Sequence, residues 1–196
     1  MHQREQIDII EKTRGRVLND HTLTGEDMFL IWGYATALFL LLEFAALEIW
    51  GSTWCMYIWI GIPLVGAPLM FISYLRDNSH AHHIEVNAFV IMKMWIYLGF
   101  VIGALGFALG FAGLYTQCFF PLLCLLCSLG GFITGLVAAF RPMTICGLVA
   151  SGLALATLAF QGTLWHWQLP SGALTIAVAL IIPGHLFRRF VKNNDI

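Results

Sequence analysis

Charged residues are scarce in this sequence, and their scarcity excludes an ordinary soluble domain. Only 11% of the 196 residues are charged, whereas 59% are hydrophobic, a balance well outside the range of soluble globular proteins. Six apolar blocks leave only a short arm, a few loops and a tail. That remainder is too small for a separate catalytic domain, so any activity must be built from one helical bundle.

Motifs of the common enzyme classes are also missing. The sequence has no phosphate-binding P-loop, no G-x-S-x-G nucleophile elbow and no pair of intramembrane aspartates such as a membrane protease needs. Acidic residues dilute the basic ones in the N-terminal arm, so there is no polybasic surface for nucleic acid. We therefore expect no cofactor and no direct nucleic-acid partner. Enzyme activity stays undecided, with a non-enzyme favoured.

Lysine and arginine are absent from alternate gaps between the apolar blocks. Each block has roughly the 20 residues that a spanning helix needs, although the fifth and sixth are slightly shorter. The blocks are Met28–Trp50, Trp54–Leu75, Ala88–Leu114, Cys118–Phe140, Met143–Phe160 and Leu169–Phe187. All ten Lys and Arg residues lie at one side of the implied membrane, as in cytoplasmic loops. This pattern predicts an all-α integral membrane protein, a six-helix bundle with both termini in the cytoplasm.

We expect three regions along the chain. Residues 1–27 form a cytoplasmic arm, residues 28–187 the transmembrane domain, and residues 188–196 a basic cytoplasmic tail. Within the arm, Gln3–Leu18 has the apolar spacing of a short amphipathic helix. That helix lies on the membrane surface or, alternatively, docks onto a cytoplasmic protein or a second copy of the chain. The first apolar block is too long for the core of a cleavable signal peptide.

Glycine recurs along one face of the third block, at spacings of four and three residues. The fourth block carries a similar face. Because no hydrophobic force drives helices together in lipid, small residues that allow close backbone approach do so instead. We expect the third, fourth and fifth spans to pack tightly on these faces, and a homodimer contact is the alternative. The glycines concerned are Gly99, Gly103, Gly106, Gly110, Gly113, Gly131 and Gly135.

Three ionisable residues fall inside the apolar blocks, where such groups are costly and often functional. Glu43 lies about 22 Å along the first helix from Met28, whereas Lys93 lies only about 8 Å into the third from its cytoplasmic end. Their depths therefore exclude a direct ion pair. Lys93 reaches the cytoplasmic interface and Glu48 the outer one, so Glu43 is the best candidate for an internal role. The alternative is a protonated or hydrogen-bonded structural carboxyl.

A second group of candidates lies at the cytoplasmic face. The loop after the second block carries imidazoles and a carboxylate, and the sixth block ends near another histidine. These residues are His80, His82, His83, Glu85 and His185. Such side chains bind zinc and other transition metals, but no helical ligand motif is present, and a solvated loop beside the lipid headgroups explains them as well. The metal content is left open.

Three short stretches carry a resemblance to a known family. They are Gln6–Ile10, the Trp32-Gly33 pair, and Ile181–Phe187, which reads I-I-P-G-H-L-F. The chain resembles a family of small multi-span membrane proteins from Bacteroidetes-type bacteria that has no assigned activity. The resemblance implies a location in the bacterial inner membrane. It also implies a gene neighbour encoding a small winged-helix regulator, and hence a regulatory or stress-response setting.

Three functions fit these features. The favoured one is a non-catalytic sensor or scaffold that acts through its cytoplasmic face, with the lipid bilayer, a cytoplasmic protein or a second copy as partners. The second is a small oligomeric transporter or channel with Glu43 as its intramembrane site. The third is a metal-dependent membrane enzyme that uses the cytoplasmic histidines.

Overall fold

The computed structural model describes residues 24–51, 53–77, 86–111, 118–160 and 162–194. Within them the chain is helical, with no strand. The five α-helices that come first are α1 (Thr24–Trp50), α2 (Gly61–Asp77), α3 (Val86–Phe111), α4 (Phe120–Val137) and α5 (Arg141–Thr157). Two 3-10 helices, Thr53–Ile60 and Gly162–Trp167, precede α2 and the last segment. That last segment, named the sixth span below after the sixth apolar block of the sequence, comprises α6 (Gln168–Ile176), a π-helical turn (Ala177–Ile181) and α7 (Ile182–Asn194).

Four described helical segments are long and apolar enough to cross a membrane. They are Met28–Trp50, Val90–Leu109, Phe120–Val137 and Leu164–Phe190. The apolar parts of the other two helices, Tyr57–Ser73 and Arg141–Thr157, are shorter. The composition thus predicted a helical protein with membrane-spanning segments, and this coarser part of the prediction is confirmed.

The α1 helix and the sixth span pack against each other, antiparallel, along their whole length. Four pairs of contacts define this seam. In chain order along α1 they are Leu30 with Gly184, Gly33 with Leu180 and Ile181, Leu40 with Gly172, and Phe44 with Trp167. One end of the seam carries Met28 and the other Trp50, and these two ends of the bundle are called the Met28 end and the Trp50 end below. The α4 and α5 helices cover other sides of α6.

Pro183 does not break the sixth span, contrary to the expectation from its ring and missing N–H. The helix continues through it to Asn194. The preceding π-helical turn explains the continuity: the Ile182 N–H donates to the Ala177 carbonyl, five residues back. This wider turn is a known way for a helix to absorb a local disruption. With the continuation, the apolar stretch is 27 residues long, longer than the sixth block of the sequence.

Two glycines allow α4 and α5 to touch backbone to backbone. A Cβ added to Gly135 would lie 2.5 Å from the Thr144 nitrogen, and one on Gly147 would lie 2.5 Å from the Phe132 nitrogen. A short turn joins the two helices, in which the Phe140 N–H donates to the Gly135 carbonyl at 2.9 Å, the bond of a Schellman motif. The expected close packing of the fourth and fifth spans is therefore present.

The glycine face of α3 departs from expectation. Added Cβ atoms at Gly99 and Gly103 would meet no described residue within 4 Å, although one at Gly106 would meet the Phe119 ring. In the most apolar 18-residue stretch of α3, only 6% is buried, against 50% in the corresponding stretch of α4. Here α3 rests on α4 through larger side chains, since Trp95 and Leu98 cover Gly130. The surroundings of Gly110 are not described, and Gly113 lies outside the described residues.

A Gly135→Ala substitution should destabilise the protein by about 1–3 kcal/mol, the usual cost of overpacking. The new methyl would meet Thr144 and Met143 backbone atoms, which cannot rotate away. Gly152→Ala on α5 is the matched control, because an added Cβ there meets nothing within 4 Å and alanine favours a helix by about 1 kcal/mol. Unfolding of purified protein in mixed detergent micelles measures both; equal effects would contradict the packing.

Candidate functional site

Glu43 is enclosed within the bundle. Its side chain is 0% exposed, and neither carboxyl oxygen has a hydrogen-bond partner among the described residues. Most buried polar groups in proteins do have partners, and burying an unpaired ionised carboxylate is far more costly than burying a neutral acid. This unpaired acid makes the middle of the seam the candidate site.

Three other buried polar side chains are satisfied within their own helix. Each hydroxyl donates to a carbonyl one turn earlier: Ser128 to Cys124 at 2.7 Å, Thr134 to Gly130 at 2.8 Å, and Thr175 to Ser171 at 2.9 Å. Such backbonding is available to a short side chain that carries a hydroxyl hydrogen. An ionised carboxylate only accepts hydrogen bonds, so Glu43 cannot use this local solution while it is charged.

Gln168 is the polar residue that the register of the seam brings to the level of Glu43. Glu43 lies between Leu40 and Phe44, whose partners on the sixth span bracket Gln168. The Gln168 side chain is buried, and its Nε2 donates to the Phe160 carbonyl, which ties α6 to the turn after α5. The site therefore combines an unpaired acid with an anchored amide.

Glu48 and His166 form a polar contact, the Glu48–His166 pair, at the Trp50 end of the seam. Glu48 Oε1 lies 3.4 Å from His166 Nε2, and Glu48 is about half exposed. The His166 ring stacks on Phe44 with a centroid distance of 6.2 Å, and Phe44 also contacts Trp167. The expectation that Glu48 reaches the outer membrane interface stays a prediction.

Tyr34 and His185 join the same two helices near the Met28 end. Tyr34 Oη lies 2.7 Å from His185 Nε2, so the side chains share a hydrogen bond whose direction depends on the imidazole tautomer. Arg188 and Arg189 follow His185 at i+3 and i+4 and are exposed, on one face of α7. Polar contacts thus close both ends of the seam.

The structure describes only part of the predicted cytoplasmic cluster. His80, His82, His83 and Glu85 lie outside the described residues. Among the residues that are described, no group of three or more His, Cys, Asp or Glu side chains is placed to hold a metal ion. Lys93 lies on an exposed face of α3, away from the seam. His185 is therefore joined to Tyr34, and its relation to the histidine loop stays a prediction.

Sequence reasoning missed Gln168 and the two polar contacts that close the seam. Gln168 precedes the sixth apolar block by one residue, so the pattern of apolar blocks leaves it outside the predicted helix. The alternating direction of successive spans implies an antiparallel first and sixth helix if they are neighbours. That register would have aligned Gln168 with Glu43, but no sequence feature shows that these two helices are neighbours.

Comparisons with family models, with curated proteins and with solved structures found no match. The geometry of the seam therefore carries the functional argument without support from a relative.

A Tyr34→Phe substitution should weaken the seam by about 0.5–1.5 kcal/mol, the usual net contribution of a hydrogen bond. The ring and its packing are kept, so the change isolates the contact with His185. Tyr97→Phe, at a position on α3 that is 70% exposed, is the control. Thermal unfolding in detergent measures both variants, and a Tyr34→Phe protein as stable as the control would contradict the assigned contact.

Proposed function

We propose that the chain is a six-span protein of a bacterial inner membrane with both termini in the cytoplasm. The distribution of Lys and Arg supports the orientation. For the second span, the 3-10 helix and α2 together extend about 40 Å at their usual rises of 2.0 and 1.5 Å per residue. The 17 residues of α5 extend about 25 Å and approach the 30 Å of a hydrocarbon core. The Met28 end of the bundle is then cytoplasmic.

The function that this arrangement supports best is a sensor or scaffold with a cytoplasmic output. The continuous seam between α1 and the sixth span carries this proposal. It joins the Glu48–His166 pair on the outer side to the Tyr34–His185 contact on the inner side. A structural change at the outer end is therefore transmitted to α7 along one continuous helix.

The end of the sixth span offers a surface for a partner. Arg188 and Arg189 are exposed, and α7 contains no acidic residue. Behind them Phe187 and Phe190 contact Phe140 at ring distances of 5.2 and 5.6 Å, which fixes α7 to the start of α5. A rigid helix with exposed arginines suits an acidic cytoplasmic protein, and the N-terminal arm lies on the same side in this topology.

Deletion of residues 1–20, or the double change Arg188→Ala and Arg189→Ala, should abolish co-purification of the cytoplasmic partner. Replacing both arginines by lysine keeps the charge and should retain it. Affinity purification from crosslinked cells, compared by quantitative mass spectrometry, is the measurement. Fusions check insertion: green fluorescent protein at the C-terminus should fluoresce, and alkaline phosphatase after Gly51 should be active. An identical set of co-purified proteins from all forms would contradict the proposal.

The unpaired burial of Glu43 favours a second candidate, a small transporter that moves protons or cations. The seam would then be the permeation route. In that case proteoliposomes containing Glu43→Gln should lose flux, while Tyr97→Phe, at an exposed position on α3, should retain it. Flux that is unchanged by Glu43→Gln would remove this candidate.

A further inference from the structure

The seam is closed on the Met28 side of Glu43. One turn away, Leu40 Cδ1 lies 3.6 Å from the position of a Cβ on Gly172. Farther along, a Cβ on Gly33 would lie only 3.1 Å from the Leu180 Cβ. The two backbones approach closely here, and Leu40 and Leu180 are almost fully buried. A path from Glu43 to the Met28 end would run about 22 Å through this packed region.

On the Trp50 side of Glu43, the distance to the end of the seam is short and polar groups lie at that end. Glu48 is five residues farther along α1, which corresponds to about 7–8 Å of helix. Both Glu48 and its partner His166 are partly exposed, and Phe44, the residue after Glu43 on α1, stacks on the His166 ring. Groups that exchange protons with water therefore lie within about two helical turns of Glu43.

The chemistry of the site selects a proton over a metal ion. Calcium binds six to eight oxygen ligands and magnesium a near-ideal octahedron, whereas the unpartnered buried side-chain oxygens among the described residues are only those of the Glu43 carboxyl and the Gln168 amide. No His, Cys, Asp or Glu cluster surrounds it among the described residues. A proton needs only the carboxylate itself, and its binding removes the charge whose burial is costly.

We propose that Glu43 is a proton-binding site, occupied when the seam is closed, that exchanges with the Trp50 face past Phe44 and the Glu48–His166 pair. This inference uses the membrane placement of the proposed function, but it holds whether the protein recruits a partner or transports. Among the described residues of the elements around this part of α1, the other titratable side chains are the Cys55, Cys124 and Cys127 thiols and the Tyr57 phenol. None of these is a cation that would hold an ionised Glu43.

The first test is chemical labelling of the full chain in liposomes. Dicyclohexylcarbodiimide enters lipid and reacts with protonated carboxyl groups, so it should modify Glu43 and leave Glu48 largely unmodified. Mass spectrometry of the unaltered protein locates the label without the need for a variant. Glu43→Gln should lose the label and also the infrared carbonyl band of a protonated acid, and Glu48→Gln should keep both. Absence of the label and the band from the unaltered protein at acidic pH would overturn the proposal.

The second test concerns the side of access. Vesicles of known orientation are made alkaline on one face at a time before labelling. Alkali on the Trp50 face should lower the labelling rate at least tenfold, and alkali on the Met28 face should leave it unchanged. The reverse result, or equal sensitivity, would overturn the access route. Because labelling does not depend on flux or on a partner, its failure is distinguishable from failure of the proposed function.

Discussion

The close contact between α1 and the sixth span is the constraint on which the rest of the bundle depends. Lipid provides no hydrophobic drive between helices, so contact area must come from backbone approach. Gly33 supplies it on α1, where it meets Leu180 and Ile181. Gly131 of α4 approaches the Ala179 carbonyl from another side. The π-helical turn is therefore held by two glycines on two helices.

This clamp explains how the helix tolerates Pro183. The wider turn changes the regular hydrogen bonding of the helix backbone. In lipid, any backbone group without a partner in its own helix must find one within the protein. Here the turn lies at the centre of the bundle, where Ala179 and Leu180 are buried. The helix can consequently continue to the arginines of α7, which connects the interior of the bundle to its surface.

The same seam encloses Glu43, whose carboxyl differs from the other buried polar groups in its hydrogen bonding. Serine and threonine on α4 and α6 bond within their own helices, and Gln168 reaches the Phe160 carbonyl. The Glu43 carboxyl is fully buried and has no hydrogen-bond partner among the described residues. Burying this acid in its ionised form would be costly. The protonation state of Glu43 is therefore linked to how closely α1 and the sixth span pack.

Composition and periodicity predicted the helices well because a bilayer imposes their length. The position of Glu43 was also predictable, since a carboxyl in the middle of an apolar block has no nearby aqueous boundary. Helix neighbours were less predictable. The glycines of α3 looked like a packing face, yet Gly99 and Gly103 meet no described residue, whereas Gly33, a single glycine, makes a close contact. Spacing identifies a smooth helix face but does not specify the helix that covers it.

The most direct measurement of the central contact is disulfide formation across the seam. In a chain whose native cysteines are replaced, Gly33→Cys and Leu180→Cys place two Cβ atoms about as close as a disulfide requires, because an added Cβ on Gly33 lies 3.1 Å from that of Leu180. Mild oxidation in the membrane should give a nearly complete intrachain disulfide, and pairing Gly103→Cys with Leu180→Cys should give none. No intrachain product from the first pair, or equal yields from both, would contradict the account.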